Sequence, residues 1–222
     1  SSEAIEALIE QVDLEFIQSD LLDLFASMKT GSDRIRNIVT ALKNFCQLDR
    51  APIKEVDLNE EVKNIMLLLR NRLRSNAKNS AIELIEDYAV LPKITCHASH
   101  LNQAIMNILC NAIEAIEECF QMNNRCCILA APKPKSKIYI RTQAIKNDWI
   151  RLQIVDNGCG IPDAVQPQIY TPFFTTKVVG KGTGLGLSVA YAIIVEKHGG
   201  RLMCESKPGY GTEFTIDLPV GL

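Results

Sequence analysis

The sequence predicts an α+β fold: a two-layer α/β sandwich whose mixed, mostly antiparallel sheet carries helices on one face, preceded by a long amphipathic helix. Three observations predict it. Short runs of period-two alternation recur in the second half of the chain, as in half-buried strands. Two stretches, one opening at Asp57 and one between Ser99 and Phe120, repeat their apolar residues with the 3.6 period of a helix packed on one side. Near the start, Leu14, Ile17, Leu21, Leu24, Met28, Ile35, Ile38, Leu42 and Phe45 keep a 3-4 spacing that only Gly31 interrupts.

That first stripe lies on an otherwise polar helix, so it needs a partner surface rather than burial on all sides. Ala51-Pro52 ends the pattern, as proline does, and marks the expected boundary between a helical region, 1–51, and a second domain, 52–222. Asp57, with Glu60 three positions on, reads as a helix start. This helix runs through Val62, Ile65, Leu68 and Leu69 to about Ser75. Ile82–Tyr88 alternates as a strand. The helix from Ser99 to Phe120 presents Leu101, Ala104, Ile105, Ile108, Leu109, Ala112, Ile113 and Ile116 on one face. A loop over 121–136 precedes two strands, Lys137–Ala144 and Trp149–Val155, joined by a turn at Lys146-Asn147-Asp148. A short helix is expected near Asp163–Tyr170. Lys181-Gly182-Thr183-Gly184-Leu185-Gly186-Leu187-Ser188 then feeds a helix that stops at His198-Gly199-Gly200. Arg201–Ser206 and Thr212–Leu218 close the chain as a hairpin.

Composition narrows the function classes. With 222 residues, 47% of them apolar, the chain can bury a substantial core. A formal net charge of −2 gives no basic field for nucleic acid, and none is expected as a partner. No apolar run approaches the ~18 residues of a membrane span, and the first residues lack a signal-peptide pattern, so a cytoplasmic protein without membrane contact is expected. The eight cysteines include no Cys-x-x-Cys and sit mostly in apolar stretches, which reads as reduced, buried thiols.

Four stretches hold polar residues that a simple core does not need. Asn107 and Asn111 stand one helical turn apart, mid-helix, where Asn is a poor choice. Asp156-Asn157-Gly158-Cys159-Gly160 sets a carboxylate at a strand end beside backbone without Cβ atoms, suited to a flat base and its amine. Phe173-Phe174-Thr175-Thr176-Lys177 joins an apolar wedge to a cation. Gly209-Tyr210-Gly211-Thr212 places a hydroxyl at the start of the last strand. The glycine turn itself suits phosphate, having neither the Walker order nor the dinucleotide fingerprint.

The order Asn-x-x-x-Asn, Asp-x-Gly-x-Gly, Phe-Phe-Thr-Thr-Lys, Gly-Thr-Gly-Leu-Gly-Leu, Gly-x-Gly-Thr resembles the sensor histidine kinases of bacterial two-component systems. Their ATP-binding fold is shared with gyrase, the ninety-kilodalton heat-shock chaperones and the mismatch-repair ATPase MutL. The resemblance covers the chain from about Val56 to its end. Leu14–Leu48 also resembles the second helix of that family's dimerisation and phosphotransfer hairpin. It implies an enzyme that transfers the γ-phosphoryl group of ATP to a histidine, for relay to a response-regulator receiver domain, and a homodimer formed through the Leu14–Phe45 helix. Localisation would be cytoplasmic, as the cytoplasmic part of a larger sensor.

Residue by residue, Asp156 would bind the adenine amine, with Thr212 assisting, and Gly158, Gly160 and Ile161 would line the base pocket. Asn111 would ligate Mg²⁺, and Asn107 would act catalytically beside the phosphates. Lys177 and Lys181 would reach the phosphates from a lid, with Gly182, Gly184 and Gly186 offering N–H groups. Phe174, Thr183, Leu185 and Leu187 complete the implied ATP site. Two departures stand out. A residue often basic in relatives is Glu114 here, and none of His97, His100 and His198 is followed by the Glu or Asp of the phospho-acceptor motif. All three histidines therefore read as structural, the acceptor helix as absent, and the chain as inactive alone in autophosphorylation. An ATPase of the gyrase or chaperone kind is the competing reading, but it needs a Glu general base where Asn107 stands. An ATP-binding module without kinase activity is the third.

Overall fold

The computed structural model describes residues 20–29, 31–32, 35–36, 52–74, 81–121, 135–146, 148–177 and 182–221. The chain divides into two compact units, Ser1–Asn44 with Thr176–Thr183, and Phe45–Thr175 with Gly184–Leu222. In the first, residues 20–29, 31–32 and 35–36 are helical. Leu21, Leu24, Met28 and Ile35 of the apolar stripe are each between 49% and 65% exposed, and Leu22 and Phe25 are exposed beside them. Leu14, Ile17, Ile38, Leu42 and Phe45 lie outside the described residues.

The second unit has the predicted α+β architecture. Its elements are β1 (Lys54–Val56), α1 (Leu58–Leu73), β2 (Glu83–Tyr88), β3 (Ile94–Cys96), α2 (Ala98–Gln121), β4 (Lys137–Ile145), β5 (Trp149–Asp156), α3 (Gly186–Tyr191), β6 (Arg201–Lys207) and β7 (Gly211–Pro219). α3 continues as a π-helical turn, Ala192–Lys197. The five-stranded sheet runs β2-β4-β5-β7-β6. Within it β2 and β4 pair in parallel, as they must when the intervening chain crosses over through α2; the remaining pairs are antiparallel.

The core lies between α2 and one face of this sheet. All eight apolar residues expected on the α2 face are buried. They meet Ile150, Leu152 and Ile154, the alternate positions of β5. Leu58, Val62, Ile65 and Leu69 on α1 complete it. The α1 start is capped as expected: Asp57 Oδ1 accepts the N–H groups of Asn59 at 2.9 Å and Glu60 at 3.3 Å.

Three features differ from the sequence expectation. β1 and β3 pair with each other as a separate antiparallel sheet, and at three residues each they are too short to show a period. The helix expected near Asp163–Tyr170 is one 3₁₀ turn, Gln166–Gln168, around Pro167, which offers no N–H to a longer ladder. Leu68, placed on the buried face of its helix by spacing, is 73% exposed, while Met66 is buried instead.

Candidate functional site

Strand β5 delivers a carboxylate into the interior. Asp156 follows Ile150, Leu152 and Ile154 on the inward face and is only 5% exposed. Its Oδ1 accepts the Gly158 N–H at 2.8 Å. Burial pushes its pKa up to about 6, while the backbone N–H groups of Gly158 and Thr212 act in the opposite sense. Among the described residues no side-chain cation contributes to that balance. Gly158 is needed where the strand end crosses α2. A Cβ there would sit 2.8 Å from the Ala115 carbonyl carbon and 2.9 Å from Asp156 Oδ1. Gly160, at φ +69, has the Lys207 carbonyl where a side chain would start.

Thr212 faces Asp156 across the β5–β7 ladder and Ser206 across β6–β7. Ser206 organises this corner. Its hydroxyl donates to the Gly211 carbonyl at 3.0 Å, accepts the Ile161 N–H at 2.8 Å, and lies 2.9 Å from Thr212 Oγ1. Since its one proton goes to Gly211, Thr212 is the donor of that last bond. Ser206 escaped the sequence reading; its only signal was a polar residue at an inward position of a strand. It ties the Ile161 backbone to Thr212, the residue opposite Asp156.

A second cluster joins α2 to the glycine turn. Asn107 Nδ2 donates to the Gly186 carbonyl at 3.1 Å. A Cβ on Gly186 would lie 3.8 Å from Asn107 Cβ and 3.9 Å from Asn111 Nδ2, so both amides stand against the first residue of α3. Gly184, at φ +66, nests on the backbone of Phe173 and Phe174. Phe173 itself has φ +67 and is 61% exposed, a strained setting for an aromatic residue. Leu185, Leu187 and Ile161 pack half-buried against the core, and Phe174 is half-buried. Asp156, Gly158, Gly160, Ile161, Thr212, Asn107, Asn111, Phe174, Gly184, Leu185, Gly186 and Leu187 thus all belong to the second unit. Lys177, Gly182 and Thr183 belong to the first, and Lys181 lies outside the described residues.

Both departures from the motif pattern have structural counterparts. Glu114 and Glu117 receive Arg72 of α1, its Nη2 at 3.6 Å and 3.3 Å, so the cation on this flank of α2 comes from another helix. The three histidines form one cluster: the His97 ring lies 5.6 Å from those of His100 and His198. Among the described residues no group of three His, Cys, Asp or Glu side chains could hold a metal ion. A hard cation here would rest on amide oxygen, with Asn111 the amide beside the glycine turn that makes no hydrogen bond to its described residues, and on oxygens of its ligand.

Residues 96–222 match the family model described as histidine kinase-, DNA gyrase B-, and HSP90-like ATPase. Over 194 residues the chain is 32% identical to the sensor kinase CckA of Brucella abortus, covering 87% of this chain and 20% of that protein. The catalytic domain of the histidine kinase ThkA superposes with a TM-score of 0.59 at 26% identity, covering 77% of this chain and 97% of that one. ThkA in complex with the response regulator protein TrrA shares the fold at 23% identity and a TM-score of 0.62, over 85% of this chain and 49% of that one. The chain spans between a fifth and a third of the length of the first curated relatives it matches.

Proposed function

The chain belongs to the family of histidine kinase-, DNA gyrase B- and HSP90-like ATPases, and we propose that it is the ATP-binding catalytic portion of a sensor histidine kinase. It transfers the γ-phosphoryl group of ATP to a histidine other than its own three, for relay to a response-regulator aspartate. The observation that carries this reading is Asp156: a carboxylate 5% exposed, answered by backbone N–H groups and set beside a glycine that a Cβ would close. Such a group is costly unless a donor arrives with the ligand. The exocyclic amine of adenine is a donor of that kind, and Gly158 is what lets the Asp156 strand end pack this closely on α2.

The amides of Asn107 and Asn111 support the phosphoryl-transfer half. Asn107 gives one N–H to Gly186, and its oxygen and the Asn111 side chain are assigned to phosphate and Mg²⁺. Magnesium, when bound, supplies the charge neutralisation that phosphoryl transfer requires. Asn111 is the residue we assign to hold it. An amide cannot take a proton from water, so Asn107 argues against a hydrolytic ATPase and for transfer to a side chain already in place. Lys177 and Lys181 are proposed phosphate contacts, and Thr212 is proposed to support the base through water. The Leu14–Phe45 helix, whose described residues are exposed, is proposed to pair with that of a second copy, the regions 1–51 and 52–222 acting as dimerisation and catalytic parts. A receiver domain is the proposed protein partner, in the cytoplasm where ATP is available; ThkA is one protein of this fold solved with such a regulator.

Calorimetric titration tests the reading. ATP should bind the unmutated protein, GTP should bind far more weakly, and Asp156→Asn should weaken ATP about ten- to a hundredfold, as expected for loss of a hydrogen bond to a charged group. Equal affinity of the two proteins for ATP would refute it.

A further inference from the structure

His198 is 2% exposed, yet both of its ring nitrogens are engaged. Nδ1 lies 2.7 Å from the Ile193 carbonyl, and Nε2 lies 3.1 Å from the His97 N–H. A carbonyl only accepts and a backbone N–H only donates, so the partners themselves fix the ring as neutral with its proton on Nδ1. The π-helical turn sets this up. Its wider winding brings the His198 backbone N–H onto the same Ile193 carbonyl, at 3.2 Å, and so pins the ring from both ends.

The partner on the other side is no ordinary loop residue. The His97 carbonyl accepts the N–H groups of His100 and Leu101, both at 3.0 Å, at the entry to α2. Ten residues along that helix, roughly 15 Å at 1.5 Å per residue, Asn107 grips Gly186 at the start of α3. α3 and its π-helical turn are therefore tied at both ends to the first half of α2, by His198 to His97 and by Gly186 to Asn107. The second tie lies inside the nucleotide site.

We propose that His198 is a positioning residue of that site: its neutral ring holds the Asn107 helix and the glycine-led helix in register, and a proton on Nε2 releases the tie and weakens nucleotide binding. The proposal rests on the nucleotide-binding reading above. A proton on Nε2 would aim one donor at another. The surroundings oppose that proton. Burial holds the ring below the usual histidine range, the Ile193 carbonyl pulls the other way, and His97 and Lys197 add repulsion. On the neighbouring elements, His100 stacks behind His97, the Cys96 thiol is pushed up to about 11 and stays neutral, and the buried Asp217 of β7 is committed to Arg151 at 2.7 Å. Glu196 is exposed, and Arg201 lies over the Trp149 ring.

The test compares ATP affinity at pH 7.5 and pH 5.5 in the unmutated protein and in His198→Gln, whose amide keeps an N–H₂ donor group and an acceptor oxygen at every pH. Titration of Asp156 and of ATP itself affects both proteins alike. The unmutated protein should lose more affinity than the variant, by up to about fivefold for a coupling at the low end of the typical range. An equal loss in both overturns the proposal. Absence of ATP binding at pH 7.5 in the unmutated protein overturns the nucleotide reading, and this proposal with it. A second measurement needs no variant. Binding is reciprocal with protonation, so saturating ATP should lower the His198 midpoint followed by NMR, by about 0.7 pH unit for a fivefold coupling. An unchanged or raised midpoint overturns the proposal even if His198→Gln does not fold.

Discussion

The buried carboxylate of Asp156 works against the stability of the ligand-free chain. Its folded-state pKa of about 6 lies above the ordinary 3.8 because burial disfavours the charge. Between those values the folded chain holds more protons than the unfolded one, so the stabilising contribution is fully present below about 3.8 and is lost as pH rises through about 6. At neutral pH the ionised group is a net cost, which under the proposed function the nucleotide amine would offset. Asp156→Asn should therefore raise the thermal midpoint of the ligand-free protein at pH 7.5 while lowering its ATP affinity; a fall in both would make the residue purely structural. Asn111→Ala should lose Mg²⁺-dependent affinity yet keep adenosine binding, as read by calorimetry with and without the metal. Equal loss of both would place Asn111 in the fold rather than at the metal. These residues stand out in the sequence because each is chemically out of place: a mid-helix amide, a carboxylate ending an apolar strand. Ser206 does not, since one hydroxyl among strand residues is commonplace until Gly211, Ile161 and Thr212 are seen to converge on it.

Helix α1 is the element whose boundaries local chemistry sets most plainly, because Asp57 satisfies two of its opening N–H groups. Asp57→Ala should cost about 1 kcal/mol of stability in urea unfolding, with no change in ATP affinity measured on the folded protein. No loss would mean that α1 is held by its buried face alone. The helices and the long strands were readable for the same reason: each repeats its pattern for long enough to be seen. Patterns shorter than a period were not. β1 and β3 have three residues each, and the π-helical turn differs from an α-helix in bonding, not in composition. Glu114 shows another limit. Alone it looked like a lost cation beside Asn111, but Arg72 reaches it from a helix more than forty residues earlier, which no local spacing reveals.

At the scale of the molecule, the described helical residues of the first unit leave their apolar face exposed. Leu21, Leu24, Phe25 and Met28 are all about half exposed or more, and burying each fully would contribute about 1.5–3 kcal/mol. Self-pairing uses one surface twice and needs no second complementary patch. Leu24→Asp combined with Met28→Asp should turn a dimer into a monomer that still binds ATP, as followed by sedimentation equilibrium at tens of micromolar. An unmutated chain that is already monomeric there would dismiss the dimer. This face was legible from residue spacing alone, because the 3-4 repeat outlasts what one small domain needs to cover. The proposed function requires that this chain transfer phosphate rather than merely bind or hydrolyse ATP. The chain is incubated with Mg²⁺ and γ-labelled ATP beside a separate helical hairpin carrying an acceptor histidine. Acid-labile label should appear on that histidine and be lost with Asp156→Asn. Label appearing only as inorganic phosphate, with the hairpin unmarked, would contradict the proposed function.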